Sequence, residues 1–573
     1  MTLRASEKID LVDQILTIVE QFYVHRAMKQ AQYGVDAGAL LRGLRARAAN
    51  MPDLDFHQDI AAILSRLRDR HVDYGFPFDE EYCSLPFKIE RAFEGGRPIY
   101  LVTESREASL PVGSTVLRWN EVPTEAAIIA FSRHIGAGND ASRRALATRY
   151  ITTDRNIGAQ SKPDEDQVLL AIVDPAGKAR DVTVKWAVVG PAPAAASIKP
   201  ASKGGEGLDQ KLQRINKELF QRFVPAVAPA VAPKYTNVRA STIDAGGKKF
   251  GYLRIFDFEV DDAQDFARYV AGLVAPLPRT GLVIDVRNNP GGTIDAGELL
   301  IQLFAKGPVA PNEFRFRASE AVAEMLEGCD VFGMWKPTVE QGSRLGIEHS
   351  ATFSLIGKDG AYNELGRVYD GPSILIADAT TYSTGDMFTA AYRDNGVGPL
   401  ICTDENTGAG GANNWNLNYL RNYFPAFCLP ESCGAEFLGG RLGPLAATAF
   451  ADNNQPLSPQ ASLSPPSVED GETWWTVRDG PREFYVQKAD WLRKPLGVYF
   501  PHGNRFVSYL PDGVRFSFSI RQAVRRGLSD GLVLEDEGMT ADYYYKMTRT
   551  DLLSSNKDLL AFACARLVAG GKS

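Results

Sequence analysis

Six cysteines in 573 residues are too few and too scattered to make a disulfide framework. Cys428 and Cys433 alone stand close enough to consider as a pair, so free buried thiols are the expectation. No His/Cys/carboxylate cluster has ligand spacing, so neither a metal nor a cofactor is implied. No stretch approaches the ~18 unbroken apolar residues of a membrane helix, and no membrane partner is expected. A basic excess is missing too: 63 Lys+Arg stand against 70 Asp+Glu, a net charge of −7. That balance argues against a nucleic-acid partner, which would call for a basic patch. The N-terminus lacks a charged start followed by an apolar block, so it does not read as a signal peptide. Cytoplasmic residence is the default expectation.

What is present is a globular composition, 44% hydrophobic and 23% charged, with 52 Gly and 33 Pro. Ile9, Val12, Ile15, Val19 and Phe22 recur at helical spacing, and a second stripe runs through Ile60, Ile63, Leu64 and Leu67. Residues 1–80 therefore read as a helical domain. From 84 to 190 short β-type runs dominate, including 98–102 and 114–119. Residues 191–234 form an Ala/Pro-rich linker around one amphipathic helix, because proline fixes φ and cannot donate a hydrogen bond. Residues 235–573 change to buried strands alternating with helices, the pattern of an α/β core with a partly parallel sheet. Strands are expected at 251–258, 281–287, 373–379 and 399–404, and helices at 261–274, 294–304, 384–396 and 551–568. An insertion rich in Asn, Pro and Ser is expected at 412–500.

Two loops lie beyond the carboxyl ends of those strands, where α/β sheets place their chemistry. The first is Asn288-Asn289-Pro290-Gly291-Gly292. Its paired glycines suit an oxyanion hole, or an ordinary strand-to-helix turn. The second is Thr381-Tyr382-Ser383-Thr384-Gly385-Asp386, which puts a serine at a helix N-terminus. There Ser383 is either a nucleophile, favoured by the helix dipole, or a helix cap. The elbow G-x-S-x-G is absent, since Thr381 stands at its first glycine, and an α/β-hydrolase is not expected.

VIDVRNNPGG followed by TYSTGDMFTAAYRDNG resembles the core of the C-terminal processing (tail-specific) serine peptidases. The closing run LEDEGMTADYYYKMTRTDLLSSNKDLLAFA is similar to that family's final segment. The resemblance implies a crotonase/ClpP-like α/β peptidase core with Ser383 as nucleophile and Gly291 or Gly292, with Thr384, as oxyanion donors. Many members use a lysine about two dozen residues past the serine, but no lysine lies between Ser383 and Lys488. The branch holding the tricorn core and the chlamydial protease-like activity factor draws a histidine from its N-terminal region and a glutamate from near its C-terminus. Arg68-Asp69-Arg70-His71-Val72 resembles the D-x-H segment of that branch, which makes His71 the implied base. The family's glutamate stands three before a glycine, which selects Glu535 from Glu535-Asp536-Glu537-Gly538 as the group that orients it. Residues 112–127 are similar to the family's PDZ segment, with Glu121 in place of its glycine.

The reading is a serine endopeptidase acting on peptides or proteins, with a homo-oligomer compatible with it. Its rivals are an inactive peptidase-fold scaffold and a crotonase-type acyl-transfer enzyme.

Overall fold

The computed structural model describes residues 3–76, 82–153, 155–156, 163–189, 234–327, 332–355, 361–421, 510–511 and 513–570, with short strand segments between 426 and 508. The linker 191–233, Cys428, Cys433 and most of the 412–500 insertion lie outside the described residues. Cys83, Cys402 and Cys564 are free and buried. Among the described residues no helix is long and apolar enough to cross a membrane.

The N-terminal stripes form helices Ala5–Gln21, Arg26–Tyr33, Ala37–Ala48 and Asp53–Ser65. Val12, Ile15, Val19 and Phe22 are all buried. They share one continuous apolar cluster with Leu253, Ile284 and Leu375 of the central sheet. The helical region is thus packed into the core of the central sheet and has no separate core of its own. This is how a residue at position 71 comes to face residues beyond 500.

The central sheet runs Val238–Ala245, Lys248–Ile255, Leu282–Asp285, Ser373–Ala377, Leu400–Cys402, Tyr543–Tyr544. The first pair is antiparallel and the rest are parallel. Every residue of Leu282–Asp285 and Ser373–Ala377 is buried, because helices and the β-rich module cover both faces. Helices Ala263–Val274, Ile294–Leu300 and Thr384–Asp394 fall where the apolar periodicity puts them, each one or more residues shorter than expected. The expected closing helix is two, Arg549–Leu553 and Lys557–Gly570. Ser555 and Asn556 between them take positive φ and interrupt the helix.

The β-rich module has its own core around Phe87, Trp119, Leu170 and Val184. Its sheet runs in the order Phe87–Glu94, Arg97–Ser105, Thr115–Trp119, Gln167–Val173, Ala179–Lys185. Asn120 and Glu121 both adopt positive φ (46° and 68°), so the turn keeps the geometry a glycine would favour despite the glutamate. The free edge of Phe87–Glu94 is partly closed by the chain itself: the Phe93 amide donates to Met547 O (2.8 Å).

A third sheet decides the site. Its central strand, Arg515–Val524, pairs antiparallel with Asp73–Gly75, Glu313–Phe316 and Ala412–Asn416. It draws the segment after His71 and the segment after the glycine loop 408–411 onto one late strand. The expected start of the insertion, 412–416, is therefore part of the core.

Candidate active site

Ser383 sits between strand Ser373–Ala377 and helix Thr384–Asp394 at φ 55°, ψ −124°. A non-glycine residue in that region costs about 1–3 kcal/mol and persists only where its surroundings impose it. Here they do. The Tyr382 amide donates to Asn289 O (2.8 Å), the Gly408 amide to Thr381 O (2.8 Å), and Thr384 Oγ1 to Gly292 O (2.7 Å). Asp378 fastens both loops with one oxygen: its Oδ1 accepts from the amides of Asn288, Thr380 and Thr381 at 2.8–2.9 Å. The Ser383 side chain caps no helix amide, which removes the cap as an explanation for the residue.

The glycine loops are shaped by closeness to this elbow. A Cβ on Gly291 would lie 2.6 Å from Ser383 Cβ, and one on Gly410 would lie 2.6 Å from Ser383 N. Of the expected oxyanion donors, Gly291 is already engaged, since its amide donates to Asn289 Oδ1 (2.9 Å). The bridge between this loop and Phe258 uses Gly291 O and the Thr293 amide, and leaves the Gly292 amide out. Thr384 opens its helix, where amides have no intrahelical partner. The loop 408–411 is held by Asp386, whose Oδ2 accepts from the Gly410 amide (2.7 Å). Burial pushes the Asp386 carboxyl up to about 7 against that hydrogen bond.

His71 is 2% exposed and reaches this site through Tyr382, the neighbour of Ser383. The two rings lie 4.7 Å apart, and Tyr382 Oη is 3.3 Å from His71 Nδ1. Arg70 stacks its guanidinium over the other side of the arrangement, 4.8 Å from the Tyr382 ring. Asp69 Oδ1 lies 3.8 Å from His71 Nδ1 and accepts the His71 amide (2.8 Å).

Glu535 is buried beside this group but turned elsewhere. Its Oε1 takes Lys29 Nζ (2.7 Å) and its Oε2 the Gly411 amide (3.1 Å). His25 Nδ1 is 3.8 Å from its Oε1, and Glu535 makes no hydrogen bond or ion pair with His71. Burial, then the charge of Asp69, pushes the Glu535 carboxyl well above its ordinary range. Lys29 also meets Asp536 Oδ1 (2.5 Å) and Arg68 O (3.1 Å). Burial opposes its charge, but Glu535, Asp69 and Asp536 together hold the ammonium charged. His25, Asp69 and Glu535 offer ligand atoms within 4.8 Å of one another. Lys29 already supplies the positive charge beside Glu535.

Asn289, Tyr382, Asp386 and Asp69 stand in the two loops and the D-x-H segment without a role assigned from the sequence, and Asp378 was not named there. For Asp378 a signal existed: an acid at the end of a buried strand, two and three residues before threonines, is Asx-turn chemistry.

Residues 249–419 match Peptidase family S41. That stretch holds both loops of the site and is similar to the C-terminal processing S41 peptidases. Carboxy-terminal processing protease CtpB of Bacillus subtilis (strain 168) is 34% identical over 111 residues, which are 19% of this chain and 22% of that protein. The chain thus aligns with about a fifth of the length of this curated relative. Two solved structures, mature CPAF and mature CPAF complexed with lactacystin, match with TM-scores of 0.62 and 0.61 at 17% identity. Each comparison covers 99% of both chains, so the likeness of fold extends over the length of the chain.

Proposed function

We propose that this S41 chain is a serine endopeptidase that cleaves peptide bonds in peptides or proteins, with Ser383 as nucleophile and His71 as general base. The observation that carries the reading is the strained Ser383 elbow, whose hydroxyl caps nothing and whose backbone is fastened to the glycine loop 289–292. Ser383 Oγ attacks the scissile carbonyl carbon and passes its proton to His71 Nε2. The oxyanion is met by the amides of Gly292 and Thr384, each donor of this kind being worth about 3–4 kcal/mol. The C–N bond breaks as His71 returns the proton to the leaving amine. Water then attacks the acyl-enzyme by the same route in reverse.

The test is an alkyl fluorophosphonate, which phosphonylates an activated serine, read by intact mass. One adduct is expected on the wild-type protein, none on Ser383→Ala, and labelling slowed by at least about 100-fold on His71→Ala. An unmodified wild type would favour an inactive scaffold. An adduct that survives Ser383→Ala would mean another nucleophile.

A further inference from the structure

The geometry points to Asp69, not Glu535, as the residue that positions His71 and balances the charge it acquires during the reaction. This rests on the serine-peptidase reading above and goes beyond it in naming the third member of the site.

A general base that takes a proton on one ring nitrogen needs its other nitrogen held as a donor, with negative charge near it. Two oxygens face His71 Nδ1: Tyr382 Oη at 3.3 Å and Asp69 Oδ1 at 3.8 Å. Of these, Asp69 carries the charge. The backbone fixes its place, because Oδ1 also accepts the amide of His71 itself (2.8 Å), a tight local turn that sets the carboxylate beside its own histidine.

Its other oxygen is held by three further side chains from two distant segments. Tyr23 Oη donates to Oδ2 at 3.0 Å, Ser519 Oγ at 2.8 Å, and His25 Nδ1 lies at 3.0 Å. Asp69 is 1% exposed. Burial alone would favour its neutral form, but the His25 hydrogen bond and the charges of His25, Lys29 and His71 hold its carboxyl well below the usual carboxylate range. Four hydrogen-bonding groups thus hold its two oxygens.

Glu535 has the opposite character. Both of its oxygens are engaged, by Lys29 and Gly411, and burial with the charge of Asp69 raises its carboxyl. Its role is to tie Lys29, and with it the second N-terminal helix, to the end of the chain. The groups facing the Asp69–His71 unit are Tyr23 and His25 from the connection between the first two helices, Lys29, Arg70, Tyr382, Ser519, and Glu535 and Asp536 from the late loop. Lys29 meets Glu535 and Asp536 directly, and its charge also acts on Asp69.

The experiment follows the rate of Ser383 phosphonylation by the fluorophosphonate from pH 5 to 9. It compares the wild type, Asp69→Asn, Glu535→Gln, His71→Ala and the double variant Asp69→Asn/His71→Ala, with melting recorded for each. Asp69→Asn is expected to slow labelling by about 100-fold or more. It should also move the acid limb of the profile to lower pH, because a neutral amide no longer favours the imidazolium. Glu535→Gln is expected to leave the limb in place and the rate within about fivefold, whatever it does to melting. In the double variant Asp69→Asn should add nothing to His71→Ala, since a residue acting through His71 has no effect once it is gone.

A Glu535→Gln loss as large as that of His71→Ala would overturn the assignment. So would an unmoved limb in Asp69→Asn, or multiplied losses in the double variant. A wild type that takes no label would refute the peptidase reading itself, and this inference with it.

Discussion

Glu298→Gln offers a test of the core's electrostatics that does not depend on finding a substrate. Glu298 lies in helix Ile294–Leu300, just past the glycine loop, and is 1% exposed. Its carboxyl accepts from Asn312 Nδ2 (2.6 Å) and the Asn312 amide (3.3 Å), and no cation pairs with it. Burial pushes the group from its ordinary 4.5 up to about 8, against those two hydrogen bonds. Below pH 4.5 both folded and unfolded chains hold the proton, and stability is unaffected. Between 4.5 and 8 the unfolded chain releases the proton and the folded chain keeps it, so stability falls as pH rises. Above 8 the folded chain must bury the charge, and the loss is complete.

At about 1.4 kcal/mol per pH unit, the window amounts to a ceiling of about 5 kcal/mol. Glutamine keeps the shape and an acceptor oxygen for Asn312 but cannot ionise. Urea unfolding followed by circular dichroism at pH 5 and pH 8.5 checks this. The variant should match the wild type at pH 5 and be more stable by several kcal/mol at pH 8.5. An equal gap at both values, or a variant weaker at pH 8.5, would refute the reasoning.

Two further changes probe the site's supports. Lys29→Met leaves Glu535 and Asp536 buried without their cation and should destabilise the fold by about 3–5 kcal/mol, read by the same unfolding assay. A variant as stable as the wild type would mean that those carboxylates are protonated or hydrated. Gly410→Ala puts a Cβ 2.6 Å from Ser383 N and 2.7 Å from the Tyr382 ring. The elbow must shift, and fluorophosphonate labelling should slow by about 100-fold while the circular dichroism spectrum is kept. Unchanged labelling would mean the loop is loose enough to yield.

The alternation of buried strands and amphipathic helices after residue 235 was legible because it follows from local periodicity, and those elements form within a few residues of their expected bounds. Ser383 was legible for the same reason: a serine between a buried strand and a helix is a local pattern. The resemblance carried His71 as well, and the structure brings it against Tyr382, one residue from Ser383.

What no local pattern could decide was which carboxylate meets which cation. Asp69 and Glu535 are separated by most of the chain, and both end up within reach of His25 only because strand Arg515–Val524 pairs with Asp73–Gly75. Lys29 then competes for Glu535 at 2.7 Å, a contact spanning 506 residues, whereas Asp69 is bound to His71 by a two-residue turn. Gly291 follows the same rule, its amide being taken by the Asn289 side chain. The sequence by itself determined the core fold, the serine and the two loops, since short-range sterics and burial settle those. The tertiary structure alone decided how the charges pair, because in a dry interior an ion's partner is whichever opposite charge the long-range packing brings nearest.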